Sequence, residues 1–292
     1  MSDGKKTLYE RVRDVDRRVI FLAIALAVIL PLLIQWAPPE HPSKMVQEVF
    51  DKTESLPAGS KVLLSFDYDP ASEPELQPMA VAWVRQCVKR GYKMYIMALW
   101  PLGQQMAAKT LDQVLHKELK DSGYREGVDY VNLGYKSGNQ GVIKVILTDF
   151  EKLYNTDAGG TYIRDVPAML GGKGLRAFDL IVNISAGTPG IKEWIQFGST
   201  PAQVPIVGGS TAVQAPQMYP YYPDQMVGLL GGLKGASEYE DLLRTKYPEF
   251  APNAMNAAII RMGPQAVAHI VIILFIVLGN ITFLVGKRRG RR

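Results

Sequence analysis

The chain has 292 residues, is 47% hydrophobic and 21% charged, and carries a formal net charge of +5 at neutral pH. One cysteine excludes an internal disulfide, and three histidines beside it are too few and too scattered for a tetrahedral zinc site or a Ser-His-Asp triad. The basic excess lies at the two ends: residues 1–36 hold six basic and four acidic side chains, residues 265–292 hold five basic and none acidic, and the stretch between them holds 22 and 24. A slightly acidic middle offers no basic stripe for nucleic acid.

In chain order, residues 1–18 read as a basic tail and residues 19–36, VIFLAIALAVILPLLIQW, as an uncharged segment long enough to span a bilayer. A cleaved signal peptide is the alternative. The apolar run exceeds the usual h-region and no small-x-small site follows it, so an uncleaved signal anchor is expected. Residues 265–286 read as a second span, which runs into Lys287, Arg288, Arg289, Arg291 and Arg292. Positive charge beside a span is retained on the cytoplasmic side, so both termini are expected there, in contact with anionic headgroups, with residues between the spans outside.

Residues 37–60, with Pro38, Pro39, Pro42 and Pro57, are expected to form a stalk around a short helix at 44–53. Residues 61–250 then alternate between short apolar runs and helical periodicity. Strands are predicted at 61–66, 93–99, 129–133, 178–184 and 204–207, and helices at 75–90, 104–120, 142–153 and 191–197. Strands separated by helices imply parallel pairing, hence a three-layer, Rossmann-like or flavodoxin-like open sheet. Helices are also expected at 224–233 and 237–247, with 251–264 connecting to the second span through a helical 254–262. Residues 155–176, rich in glycine, read as a long loop, a candidate lid or contact surface.

Open parallel sheets bind ligands outside the carboxyl ends of their strands. The candidate crevice residues are therefore Asp67 and Asp69 after the first strand, Trp100 after the second, Ser185, Gly187 and Gly190 after the fourth, and Gly209 and Ser210 after the fifth. Asp67-Tyr68-Asp69 after an apolar strand resembles the first motif of the haloacid-dehalogenase-like phosphatases. That resemblance implies one carboxylate attacking phosphate, the other handling a proton, and magnesium between them. Pro70-Ala71 departs from the motif, and the later strands offer neither its lysine nor its acidic pair. The preferred reading has Asp69 and Ser72 capping a helix whose first turn holds Glu73, Pro74 and Glu75. Ser185-Ala-Gly-Thr-Pro-Gly190 does not match a dinucleotide fingerprint and is expected to be a plain strand-to-helix connection.

Gly228, Gly231, Gly232 and Gly235 are costly in a helix. They mark either close approach of another backbone or a loop before a helix capped at Ser237. Tyr219, Tyr221 and Tyr222, set between prolines, are an interface candidate, with packing over the sheet edge or against headgroups as the equal alternative. In the second span His269, Asn280 and Thr282 mark a packing face, expected against Ala23, Ala25 and Ala27 of the first. The whole is expected to be a membrane-anchored, extracytoplasmic assembly subunit, non-catalytic and without a cofactor, contacting other membrane or extracytoplasmic proteins or further copies of itself. The alternative is a small-ligand binder or magnesium-dependent phosphohydrolase-like enzyme using the crevice.

Overall fold

The computed structural model describes residues 15–39, 41–169, 173–252 and 255–289. The chain forms two compact units, Glu40–Ala258 and Met1–Pro39 with Ile259–Arg292. Lys5, Lys6, Arg11 and Arg13 of the N-terminal tail, and Arg291 and Arg292 at the other end, lie outside the described residues.

The larger unit is an α/β body around one six-stranded parallel sheet of order β3-β2-β1-β4-β5-β6. Its strands are β1 Lys61–Asp67, β2 Lys93–Ala98, β3 Tyr130–Tyr135, β4 Leu180–Ser185, β5 Ile206–Ser210 and β6 Gly228–Gly231. This is the strand order of the doubly wound nucleotide-binding sheets. Both faces are covered, which is why the central strands are apolar without alternation: β4 is buried at all six positions. Val62, Leu64 and Phe66 point into one core with Val182 and Ile184, while Leu63 and Ile181 point into the other with Trp194.

Helix α2, Lys44–Glu54, precedes the sheet, and α3, Glu73–Arg90, follows β1. Helix α3 starts with Pro74 and two glutamates in its first turn and stops at Gly91, whose left-handed φ of 71° a side chain would strain. It is buried from Leu76 to Val88. Inside that run Arg85, fully buried, makes a bidentate pair with Glu118, with both bonds at 2.7 Å, and donates to the Met255 carbonyl. Helix α4, Gly103–Leu111, continues as a π-helical stretch, Asp112–Glu118, that ends on this glutamate.

Longer or site-bearing helices of the body are α5 Gln140–Ile146, α6 Ile191–Trp194, α7 Ala215–Met218 and α8 Gly232–Lys246, with shorter helical turns between them. Three expectations need correction. Residues 224–233 are not a helix: Gly228–Gly231 is the edge strand β6, paired with β5 from Val207↔Gly228 to Ser210↔Gly231, and α8 begins at Gly232 rather than at Ser237. The glycines are there for close approach. A Cβ on Gly228 would collide with the Met45 carbonyl oxygen and lie 2.7 Å from Val49 Cγ2 of α2, and one on Gly235 would lie 2.8 Å from the Leu230 carbonyl carbon.

The segment expected as a stalk is instead built into the body, because α2 buries Val46, Val49, Phe50 and Thr53. The loop over 155–176, whose residues 170–172 lie outside the described set, serves the β3 edge: Ala158 N–H donates to the Asn132 carbonyl at 2.7 Å. An edge strand left bare is a template for aggregation, and here loop and helix cover it. Gln104 completes the cover by accepting from Tyr135 N–H at 3.3 Å.

The smaller unit holds α1, Arg17–Leu33, begun by Asp16 accepting from Arg18 N–H at 2.8 Å, and all but the first two residues of α9, Ala257–Arg289. Helix α9 is long and apolar enough to cross a membrane: its most apolar stretch has a mean hydropathy of 2.6 and is wholly unburied. At 1.5 Å per residue the 17 residues of α1 reach about 26 Å, short of a hydrocarbon core of about 30 Å. Its Phe21, Leu22, Leu26, Leu30 and Leu33 are nevertheless exposed.

Replacing Gly228 by alanine is predicted to cost about 1–3 kcal/mol through overpacking against α2. Gly141→Ala, where an added methyl group meets nothing within 4 Å, is predicted to be neutral or stabilising by up to about 1 kcal/mol. Thermal unfolding of the full chain in detergent checks both, and equal midpoints for the two variants would contradict the packing account.

Candidate functional site

The register of the sheet brings three of the predicted residues abreast. Asp67 pairs with Ser185, and Ser185 pairs with Ser210, across β1, β4 and β5. Trp100, Gly187 and Gly190 lie in the loops just beyond. Asp67, Ser185 and Ser210 therefore do converge, but the geometry closes the crevice.

Asp67 has no exposed surface. Its Oδ1 accepts from Leu99 N–H at 2.7 Å, and its Oδ2 accepts from Ser65 Oγ at 2.8 Å, Asn183 Nδ2 at 2.6 Å and Trp194 Nε1 at 3.0 Å. These donors come from β1 itself, the end of β2, β4 and α6, so one carboxylate binds four segments. Burial pushes its pKa up to about 6, with the four hydrogen bonds pulling against that rise. On protonation the Ser65 hydroxyl is free to rotate from donor to acceptor, leaving the other three donors satisfied.

Asp69 does something else. It is half-buried, and its Oδ1 accepts from Ser72 N–H at 3.2 Å, ordering the turn before α3, while the Ser72 side chain makes no cap bond. The two carboxylates thus have separate structural partners.

Ser185 Oγ accepts from Ile191 N–H at 3.2 Å and starts α6. A Cβ on Gly190 would sit 2.6 Å from that oxygen, so only glycine lets the chain pass; its N–H donates to Glu193 Oε2 at 2.9 Å. Trp100 donates from Nε1 to the Pro189 carbonyl at 2.8 Å, and its ring lies where a Gly187 side chain would be, with Cζ2 2.9 Å from the ideal Cβ position. The peptide between Thr188 and Pro189 is cis. Gly209 faces the other layer, where a Cβ would come within 2.9 Å of Met79 Sδ and 3.0 Å of Trp83 Cζ3. Ser210 is buried and donates weakly, at 3.4 Å, to the Thr211 carbonyl.

Sequence reading missed Ser65, Asn183, Trp194 and Tyr154. Period-two alternation puts Ser65 on the face of Asp67, and Asn183 is the one polar residue inside an otherwise apolar β4, so both carried a signal. Tyr154 is buried in the same core layer, and desolvation and the Asp67 charge hold its phenol well above the usual range. Tyr154 Oη and Asn183 Oδ1 are buried without a hydrogen-bond partner among the described residues. Cys87 is buried, which pushes its thiol up to about 12 and makes it inert. Among the described residues no three His, Cys, Asp or Glu side chains group as metal ligands would.

The other candidates are more open. Tyr222 donates to Glu48 Oε2 at 2.6 Å and Tyr221 accepts from Gln196 at 3.4 Å, so both are tied down, whereas Tyr219 is 51% exposed. Val213 in the same β5 to β6 connection is 84% exposed, and Pro216 and Pro220 lie exposed between and beside them. In α9 the membrane-face candidates meet their own helix: Asn280 Nδ2 donates to the Ile276 carbonyl at 2.9 Å and Thr282 Oγ1 to the Gly279 carbonyl at 2.8 Å. His269 and Ala25 are exposed, Ala27 is buried, and a methyl group on Gly279 would meet nothing within 4 Å, so the Gly279 and Asn280 face is not packed on the alanines of α1.

Fold and site together define a doubly covered parallel α/β domain whose strand-end crevice is filled by its own side chains. No family model, no curated protein and no solved structure matches the chain.

Asp67→Ala removes the acceptor from three buried N–H donors and is predicted to cost about 3 kcal/mol or more. The pH dependence has a definite sign. Because the folded pKa is raised from 3.8 to about 6, the folded state holds the extra proton between those values. The group's stabilising contribution is complete below about 4 and is lost as pH rises through about 6. The stability gap between the native chain and Asp67→Asn should widen from pH 7.5 to pH 4.5, measured by chemical unfolding in detergent; a gap that narrows on acidification would contradict this.

Proposed function

We propose that this protein is a two-pass membrane subunit whose α/β body stands outside the cytoplasm and binds other proteins of a membrane complex, without catalysis of its own. The single observation that carries the reading is the closed crevice. The carboxylate best placed to act as a nucleophile has no exposed surface and accepts four hydrogen bonds, while Trp100 packs across the loop above it. The phosphohydrolase-like alternative requires that carboxylate to meet substrate and magnesium.

With the crevice filled, function moves to surfaces. Val213, Pro216, Tyr219 and Pro220 display apolar and aromatic area on one connection, the kind of surface that anchors protein contacts. The distribution of basic residues is what supports the two-pass reading. Arg17 and Arg18 open α1, Lys287 and Arg288 end α9, and Ile34 to Trp36, with Gln35 the one polar side chain, extend the uncharged run from Val19 to eighteen residues. A Trp36 at the far end suits the opposite interface, and the basic ends suit anionic headgroups.

Gentle detergent extraction followed by mass and composition measurement is predicted to give a particle well above the 32.3 kDa of one chain and containing other proteins. Val213→Glu combined with Tyr219→Glu should release those proteins while changing stability by no more than about 0.5 kcal/mol per site. A lone monomer from the native membrane would sink the reading, and an unchanged particle from the double variant would sink the surface assignment.

A further inference from the structure

Helix α9 carries an exposed seam that nothing among the described residues complements. Ile273, Ile276, Asn280 and Phe283 follow one another at steps of three, four and three, which puts them on one helix face. The three apolar members are 58%, 57% and 68% exposed, and Asn280 is exposed among them. The Asn280 amide gives one N–H to the Ile276 carbonyl, leaving its second N–H and its oxygen without a partner among the described residues. Beside it, the space over Gly279 is open.

An amide with unmet hydrogen bonds is costly in hydrocarbon, and Asn280 lies well inside the apolar stretch of α9. The other membrane helix cannot meet it, because the sequence of α1 from Val19 to Ile34 has no polar side chain. The group that does fit is another Asn280. Copies of one chain insert with the same orientation, and a two-fold axis along the membrane normal sets each residue of the seam opposite itself. An amide is donor and acceptor at once, so it is complementary to its own copy. The spacing is that of a heptad seam with asparagine at one a position, the arrangement that sets register and partner number in parallel helix pairs.

We propose that α9 pairs with α9 of a second copy through Ile273, Ile276, Asn280 and Phe283, with the two Asn280 amides bonded across the axis. The proposal rests on the membrane-spanning reading above and adds a specific partner and contact to it.

Single cysteines at Ile276→Cys and Phe283→Cys in the full chain, oxidised with copper phenanthroline in native membranes, test it against a low background, since Cys87 is buried. Phe275→Cys, about 140° around the helix from Asn280, is the control. Covalent dimer at 276 and 283, several-fold above that at 275, is expected. Equal or absent cross-linking at the three positions overturns the pairing. Asn280→Leu should weaken the detergent dimer roughly tenfold, with Asn280→Gln retaining it; an Asn280→Leu dimer as tight as the native one also overturns it. Carbonate washing of the same membranes separates the two claims. A chain that washes off removes the membrane reading and the pairing together, whereas one that stays bound but does not cross-link removes the pairing alone.

Discussion

The body of this protein depends on one buried carboxylate. Asp67 sits at the end of the central strand, where an open parallel sheet would otherwise present a crevice, and it ties β1 to the end of β2, to β4 and to α6 through three hydrogen bonds, with a fourth from Ser65 of β1 itself. A charge in an apolar layer is expensive, and the four donors offset that cost only while all four segments stay in place. The same bonds that hold the sheet ends together take up the lone pairs that a substrate or a metal would need. Stability and catalysis make competing demands on such a group, and here the geometry meets the first.

Around that hub the structure manages its edges and gaps with backbone rather than bulk. Gly228 lets α2 lie directly on the last strand, Gly190 lets the chain turn past Ser185 into α6, and the loop over 155–169 occupies the open side of β3. Arg85, buried against Glu118 and the Met255 carbonyl, fixes a π-helical stretch and the C-terminal connector to one point on α3. Desolvation offsets much of the attraction in a charge pair of that kind, but removal of one partner alone leaves the other charge buried and unpaired.

Much of this was legible in advance, for definite reasons. Five strands were readable because 61–66, 93–99, 129–133, 178–184 and 204–207 are apolar runs between helical periods, and a sheet covered on both faces demands such runs. The sixth was not, because Gly-Leu-Leu-Gly at 228–231 has no periodicity of its own; Gly228 answers to Met45 and Val49 of α2, far earlier in sequence, and Gly231 to Ala215. The convergence of Asp67, Ser185 and Ser210 followed from topology. That the crevice is filled did not, since it depends on where Trp100 and Trp194 come to rest. Asn280 stood out as polar in an apolar run, but the side of α9 it occupies was unreadable without the packing of α1.

The central claim is that Asp67 is a sealed structural hub, and carboxyl carbon NMR of aspartate-labelled protein, assigned with the Asp67→Asn variant, tests it most directly. The account predicts a titration midpoint near 6 that magnesium does not move. A midpoint at the ordinary aspartate value of 3.8, or one displaced by magnesium, would show that the crevice opens to solvent and ions, and would return the site to chemistry.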